Sequence, residues 1–130
     1  MRPVTVQWAG GKFAQDITVA GHTLRADEET DTGGENTGAA PHELLLAALG
    51  SCTAMTLKVY AERKGWPLRN VHIELTGATD AAGFVITRLL TLDGELDAEQ
   101  RQRLVAIADK CPVHKTLSGH ISIQTREVAS

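Results

Sequence analysis

Val4 to Trp8 alternates apolar with polar residues and runs into "AGGK", which reads as a strand entering a hairpin turn. "DITVAGHTL" continues with a second alternating run, a turn at Gly21 and a short third strand, so a β-meander opens the chain. Periodicity then stops. "ADEETDTGGENTGAA" is acidic and rich in Gly and Thr, the composition of an exposed loop. Pro41 follows where a first-turn proline belongs, and from His42 to about Lys64 the pattern is helical. Leu45, Ala48, Leu49, Cys52, Thr56 and Val59 fall on one stripe of this helix. Its first half is apolar nearly all round, however, which predicts burial on more than one side. Gly50 and Ser51 weaken a helix, and their small size would let another backbone come close.

After "KGWPL" the period returns to two. "NVHIELT" and "FVITRLLTL" predict two strands, and "GATDAAG" between them has the Gly and Asp chemistry of a hairpin turn. Asp97 with Gln100 three residues on makes a capping box, and the helix it starts carries Leu104, Ile107, Ala108 and Cys111 on one face. Pro112 opens a second, short helix that Gly119 ends, with Cys111 as its N-cap. "HISIQTREV" predicts a final strand. Three strands, a long helix, two strands, two helices and a strand describe an α+β fold with mostly antiparallel sheets. No repeat or linker divides residues 1–130, so one domain is expected.

Composition narrows the function. The chain is 42% hydrophobic with only five aromatic residues, so its core must be aliphatic. A net charge of −3, with Lys and Arg scattered among the acids, lacks the basic footprint of a nucleic-acid binder. "MRPVTVQWAGG" has no continuous apolar core and does not read as a signal peptide. The longest stretch without a charge, Leu44 to Leu57, falls short of the roughly 20 apolar residues that span a bilayer. A cytoplasmic protein without a membrane partner is expected.

Two cysteines in a reducing compartment are more often buried, metal-binding or redox-active than disulfide-bonded. Both lie on the apolar stripes of their helices, so periodicity alone leaves them as core residues. Cys111, at a helix start, has backbone N–H groups and the helix dipole to stabilise a thiolate. Cys52, in mid-helix, has no such help and needs a cation or donor from elsewhere to react. A metal site has little support: Cys111 and His114 form one ligand pair, where zinc sites normally offer two.

"GENTGAAPHELLLAALGSCTAMTLKVYAERKGWPL", followed far downstream by "DKCPVHKTLSG", resembles the OsmC/Ohr family of organic hydroperoxide reductases, in particular the branch called redox protein, regulator of disulfide bond formation. The resemblance implies an intertwined homodimer with long central helices and active sites at the subunit interface. It implies that Cys52 attacks an organic hydroperoxide, that Cys111 resolves the sulfenic acid to a disulfide, and that an external dithiol restores both, without a cofactor or metal. It also implies an arginine that holds the thiolate and a glutamate that orients it. Arg25 or Lys12 matches the arginine. The glutamate's place after the proline is taken by His42, with Glu43 one later. Glu43 and Cys52 would lie on opposite faces of one helix, roughly 13 Å apart along its axis, so Glu43 would serve the partner's cysteine or act as a first-turn acid. Two rival readings are a non-catalytic dimer that holds a small hydrophobic ligand and a disulfide-exchange protein without peroxidase activity.

Overall fold

The computed structural model describes residues 1–129, which cluster into two compact units divided between Ala47 and Ala48. In the first unit β1 (Thr5–Trp8), β2 (Gln15–Val19) and β3 (His22–Ala26) form an antiparallel meander in that order, as the alternation predicts. Ala20 (φ 49°) and Gly21 (φ 83°) are both left-handed, which a two-residue turn between β2 and β3 requires to match the twist of its strands.

The acidic stretch after β3 is exposed over most of its length, as its composition predicts, but it is also fastened at defined points. Ala26 bridges Ala39, and the Asp27 N–H donates to the Ala39 carbonyl at 3.0 Å. The Asp27 carboxylate is 3% exposed and accepts from the Thr37 N–H (3.0 Å), the Thr37 hydroxyl (2.6 Å) and the Glu28 N–H (2.8 Å). Gly34 lies against the Glu28 backbone and Gly38 against the Arg25 backbone, so closely that a Cβ at either would collide. Glycine here serves close approach rather than looseness.

The long helix α1 (Pro41–Lys64) begins where Pro41 predicts and carries the chain into the second unit. There β4 (Leu68–Asp80) and β5 (Gly83–Gly94) form one long antiparallel hairpin, followed by α2 (Ala98–Ala108) and α3 (Pro112–Ser118). Ladder pairing runs through "GATD" to Asp80↔Gly83, so the turn is shorter than predicted, with the Asp80 carboxylate accepting from the Ala82 N–H at 2.8 Å. The capping box at Asp97 and Gln100 is present. Leu57, Ala61, Leu68, Leu104, Ile107 and Ala108 form the core, with Val71, Leu90 and Leu92 packed against it.

Two expectations are corrected. The buried stripe of α1 is Leu49, Thr53, Leu57 and Ala61, whereas Leu45 and Val59 are 44% and 45% exposed and Cys52 is half-buried. A helix apolar on all sides has no preferred direction in its sequence, so periodicity chose the wrong azimuth. Residues 120–129, predicted to hold a last strand, form none: they find no partner strand among the described residues, and Ile121 and Ile123 remain exposed. Gly50 does serve close packing, but against the Leu75 side chain of β4 rather than a backbone. By length and composition α1 could cross a bilayer, though its buried stripe faces a protein core.

Candidate thiol site

The site forms within the second unit, where α1, β5, the end of α2 and the start of α3 converge. Pro112 at the first helical position leaves Cys111 as the N-cap of α3, and its Sγ accepts from the His114 N–H at 3.3 Å. Cys111 is fully buried. Thr53, also fully buried, places its Oγ1 3.6 Å from that sulfur, and the Cys52 side chain, next to Thr53 on α1, is near enough to act on the Cys111 thiol. The two cysteines, distant in sequence, are thus neighbours.

The cation here is Arg88 of β5. Its Nη1 donates to Thr53 Oγ1 at 2.9 Å, and its Nη2 donates to Asp109 Oδ1 at 2.9 Å and to His114 Nδ1 at 3.1 Å. A guanidinium has no acceptor, so Nδ1 of His114 must accept and the ring proton sits on Nε2. The Arg88 side chain is only 12% exposed, and Asp109 forms its ion pair. Burial pushes the Cys111 thiol up. The His114 N–H, the Thr53 and Cys52 side chains and the Arg88 charge act the other way and leave Cys111 below the ordinary thiol value.

Beside this network lies a cavity of about 750 Å³, lined by Leu49, Ile86, Leu89 and Leu117 among others and sharing Arg88, Asp109 and His114 with the thiol network. It is mostly apolar with one convergent charged cluster, the make-up of a small-molecule pocket. Among the described residues no group of three or more His, Cys, Asp or Glu side chains could hold a metal ion.

Residues 33–126 match the family model described as OsmC-like protein. The chain belongs to the OsmC-like family. Solved structures agree in shape. An OsmC-like protein from Mycoplasma pneumoniae superposes with a TM-score of 0.78 at 17% identity, covering 92% of this chain and 88% of that one. An organic hydroperoxide resistance protein from Legionella pneumophila gives 0.68 at 21% identity, covering 92% and 90%. The organic hydroperoxide resistance protein OhrB of Bacillus subtilis gives 0.64 at 25% identity, covering 92% and 91%. No match to a curated protein was found.

Against this OsmC-like frame the other named residues have local partners in the first unit. Arg25 pairs with Asp16 of β2 at 3.0 Å. The backbone N–H of Lys12, rather than its ammonium, donates to the Glu35 carboxylate at 3.0 Å. The Glu43 carboxylate accepts from the Ala40 N–H at 2.7 Å, a bond at the start of α1, and the Asp31 charge, with that of Glu43 second, pushes Glu29 above the ordinary carboxylate value. Arg88 and Thr53 escaped the sequence reading. A signal for Arg88 was present: in "FVITRLLTL" it holds an alternate position with Ile86, Leu90 and Leu92, the more buried face of β5, where an arginine has no business without partners. Thr53 had no comparable signal.

Proposed function

We propose that this OsmC-like protein is a two-cysteine, thiol-dependent peroxidase that reduces organic, fatty-acid-like hydroperoxides as a homodimer in the cytoplasm. The observation that carries this reading is the meeting of a partly exposed thiol and a buried one in a network whose Arg88 and His114 also line a cavity, although neither cysteine lines it. Cys52, the accessible member, would take the distal peroxide oxygen: a Cys52 S–O bond forms, the O–O bond breaks, and the substrate leaves as its alcohol. Cys111, which no peroxide can reach directly, would displace water from the sulfenic acid to form the disulfide. An external dithiol then returns both residues to thiols.

The homodimer is supported by apolar surface that a single chain leaves uncovered. Met55 and Val59 on α1 are 67% and 45% exposed, and the chain end around Ile121 and Ile123 lacks a strand partner. In such a dimer Glu43 and either Arg25 or Lys12 would serve the Cys52 of the second copy.

Reduced protein treated with one equivalent of cumene hydroperoxide should lose two thiols, release one equivalent of alcohol and gain a Cys52–Cys111 disulfide. Cys52→Ser reacting as fast as the wild type would sink this mechanism. Because the arginine within this chain's thiol network reaches Cys111 rather than Cys52, a disulfide-exchange protein is the second reading. It would oxidise or reduce a dithiol partner but leave the hydroperoxide unreduced.

A further inference from the structure

We propose that Arg88 and Thr53 are positioning residues for Cys111, Arg88 holding the Thr53 hydroxyl and Thr53 donating its one O–H hydrogen bond to the Cys111 sulfur as that thiol becomes an attacking thiolate. This deepens the resolving half of the peroxidase reading and rests on it for biological purpose.

Thr53 Oγ1 has three polar neighbours: the Leu49 carbonyl at 2.7 Å, Arg88 Nη1 at 2.9 Å and Cys111 Sγ at 3.6 Å. Arg88 can only donate, so one lone pair of the oxygen is committed to it. The single hydroxyl proton must then choose between the Leu49 carbonyl and the sulfur. While Cys111 is a thiol, its S–H points at Thr53 Oγ1 and the hydroxyl proton rests on Leu49. When Cys111 ionises, the sulfur can only accept, and the hydroxyl turns to it. Leu49 can release that proton because its carbonyl also takes the i+4 helical N–H of Thr53. Arg88 supports the second state twice, by polarising the O–H it holds and by placing a positive charge near the sulfur.

A fully buried thiolate needs such help, since desolvation alone keeps a thiol neutral. The groups that act on Cys111 are Cys52 and Thr53 from α1, Arg88 from β5 and the His114 N–H from α3, while Asp109, at the end of α2, pairs with Arg88. The Asp109 charge is taken up by Arg88, and the Asp109 side chain is 67% exposed, so water weakens its opposition to the thiolate. His114 offers its backbone N–H to the sulfur, while its ring faces Arg88.

In the resolving step the Cys111 thiolate attacks the sulfur of Cys52–S–OH. The S–S bond forms as the S–O bond breaks, Cys111 is oxidised while the sulfenic sulfur is reduced, and the leaving hydroxide takes up the proton lost by Cys111 to give water. The rate follows the thiolate fraction of Cys111, which Thr53 and Arg88 set.

The test needs no peroxide, so its outcome is independent of the substrate. First, Cys111 is titrated by thiolate ultraviolet absorbance in a Cys52→Ser background. Second, Cys52 is loaded as a thionitrobenzoate mixed disulfide, and release of the chromophore by Cys111 is followed against pH. Thr53→Val keeps the side-chain shape but lacks the hydroxyl. It should raise the Cys111 midpoint by about one unit and slow release about tenfold near neutral pH, with the rate recovering in alkali. Thr53→Ser should behave as the wild type, and Arg88→Lys, which keeps the charge but not the fork, should fall between. A Thr53→Val profile that overlays the wild type overturns the proposal. So does a loss of equal size at every pH, which would make Thr53 a packing residue. If Cys111 ionises as proposed while cumene hydroperoxide is left unreduced, the positioning stands and the peroxidase reading fails.

Discussion

The two units are held together by different physics. The second buries Leu57 and Leu104 completely, with Ala61, Leu68, Ile107 and Ala108 around them. In the first, Ala14 and Ala26 are the buried apolar residues among those described, while Val6, Trp8 and Leu24 of its sheet are half or more exposed. Its order comes instead from the Asp27 carboxylate, with three donors gathered on it, and from glycines that let Gly34 and Gly38 lie flat on neighbouring backbone. Both units contain a nearly buried charge with its hydrogen bonds made. In the first that charge closes a loop. In the second an apolar core already fixes the backbone, and Arg88 is left to organise a thiol.

The largest effect that separates the two is expected from the core. Leu104→Ala removes a fully buried side chain and should cost about 2–5 kcal/mol in a denaturant titration, according to how far α2 can settle into the gap. Because Arg88, Asp109 and His114 are positioned by elements that pack on this core, the Cys111 titration should broaden or shift as well. A cost below about 1 kcal/mol would remove the contrast between the units.

Acid should act on the first unit. Asp27 is held below the ordinary aspartate value of 3.8, chiefly by the Thr37 hydroxyl and then by the Thr37 N–H, with burial opposing and the Glu28 N–H assisting. A lowered folded value means that the stabilisation is complete above the ordinary value and is lost as pH falls through the lower, folded one. The loop from Asp27 to Ala39 should therefore begin to weaken below pH 3.8 and open as pH falls through the lower folded value, seen as faster exchange of the Thr37 and Asn36 amides. Asp27→Asn should show that faster exchange already at neutral pH. Amides equally protected in the variant would show that the glycine contacts suffice without the carboxylate.

How much of this was legible in the sequence depends on whether the signal was local. Pro41, the Asp97–Gln100 capping box and the Cys111-Pro112 helix start are short-range chemistry, and each lies where the residues predict. The meander and the β4–β5 hairpin follow from alternation. The azimuth of α1 was not legible, because a helix apolar all round carries no direction. The last strand was not, because alternation states that a segment suits a sheet without supplying its partner. At the site, the two cysteines lie on helices whose apolar stripes make nearness plausible but do not establish it, because the stripe that α1 buries runs through Thr53 rather than Cys52, and Arg88 is joined to Thr53 across thirty-five positions of sequence by tertiary packing alone. The docked acidic loop escaped for a related reason: Gly34 and Gly38 look like flexibility until the backbones they touch are known.

The smallest expected effect sharpens the contrast from the side of the first unit. Ala20 sits at φ 49° beside Gly21 at φ 83° in the turn from β2 to β3. A Cβ in the left-handed region crowds the following carbonyl, at a cost of roughly 1–2 kcal/mol that asparagine partly avoids through local hydrogen bonding. Asn-Gly is the favoured pair for a turn with both central residues left-handed. Ala20→Asn should therefore stabilise the hairpin by up to about 1 kcal/mol, read as slower exchange of the amides that pair Val19 with His22. The same substitution touches no buried apolar group, so the Cys111 titration should stay where it is. A gain in the hairpin with an unmoved thiol would mean that the first unit can be tightened through its backbone alone, which a unit stabilised by a shared apolar core would not allow.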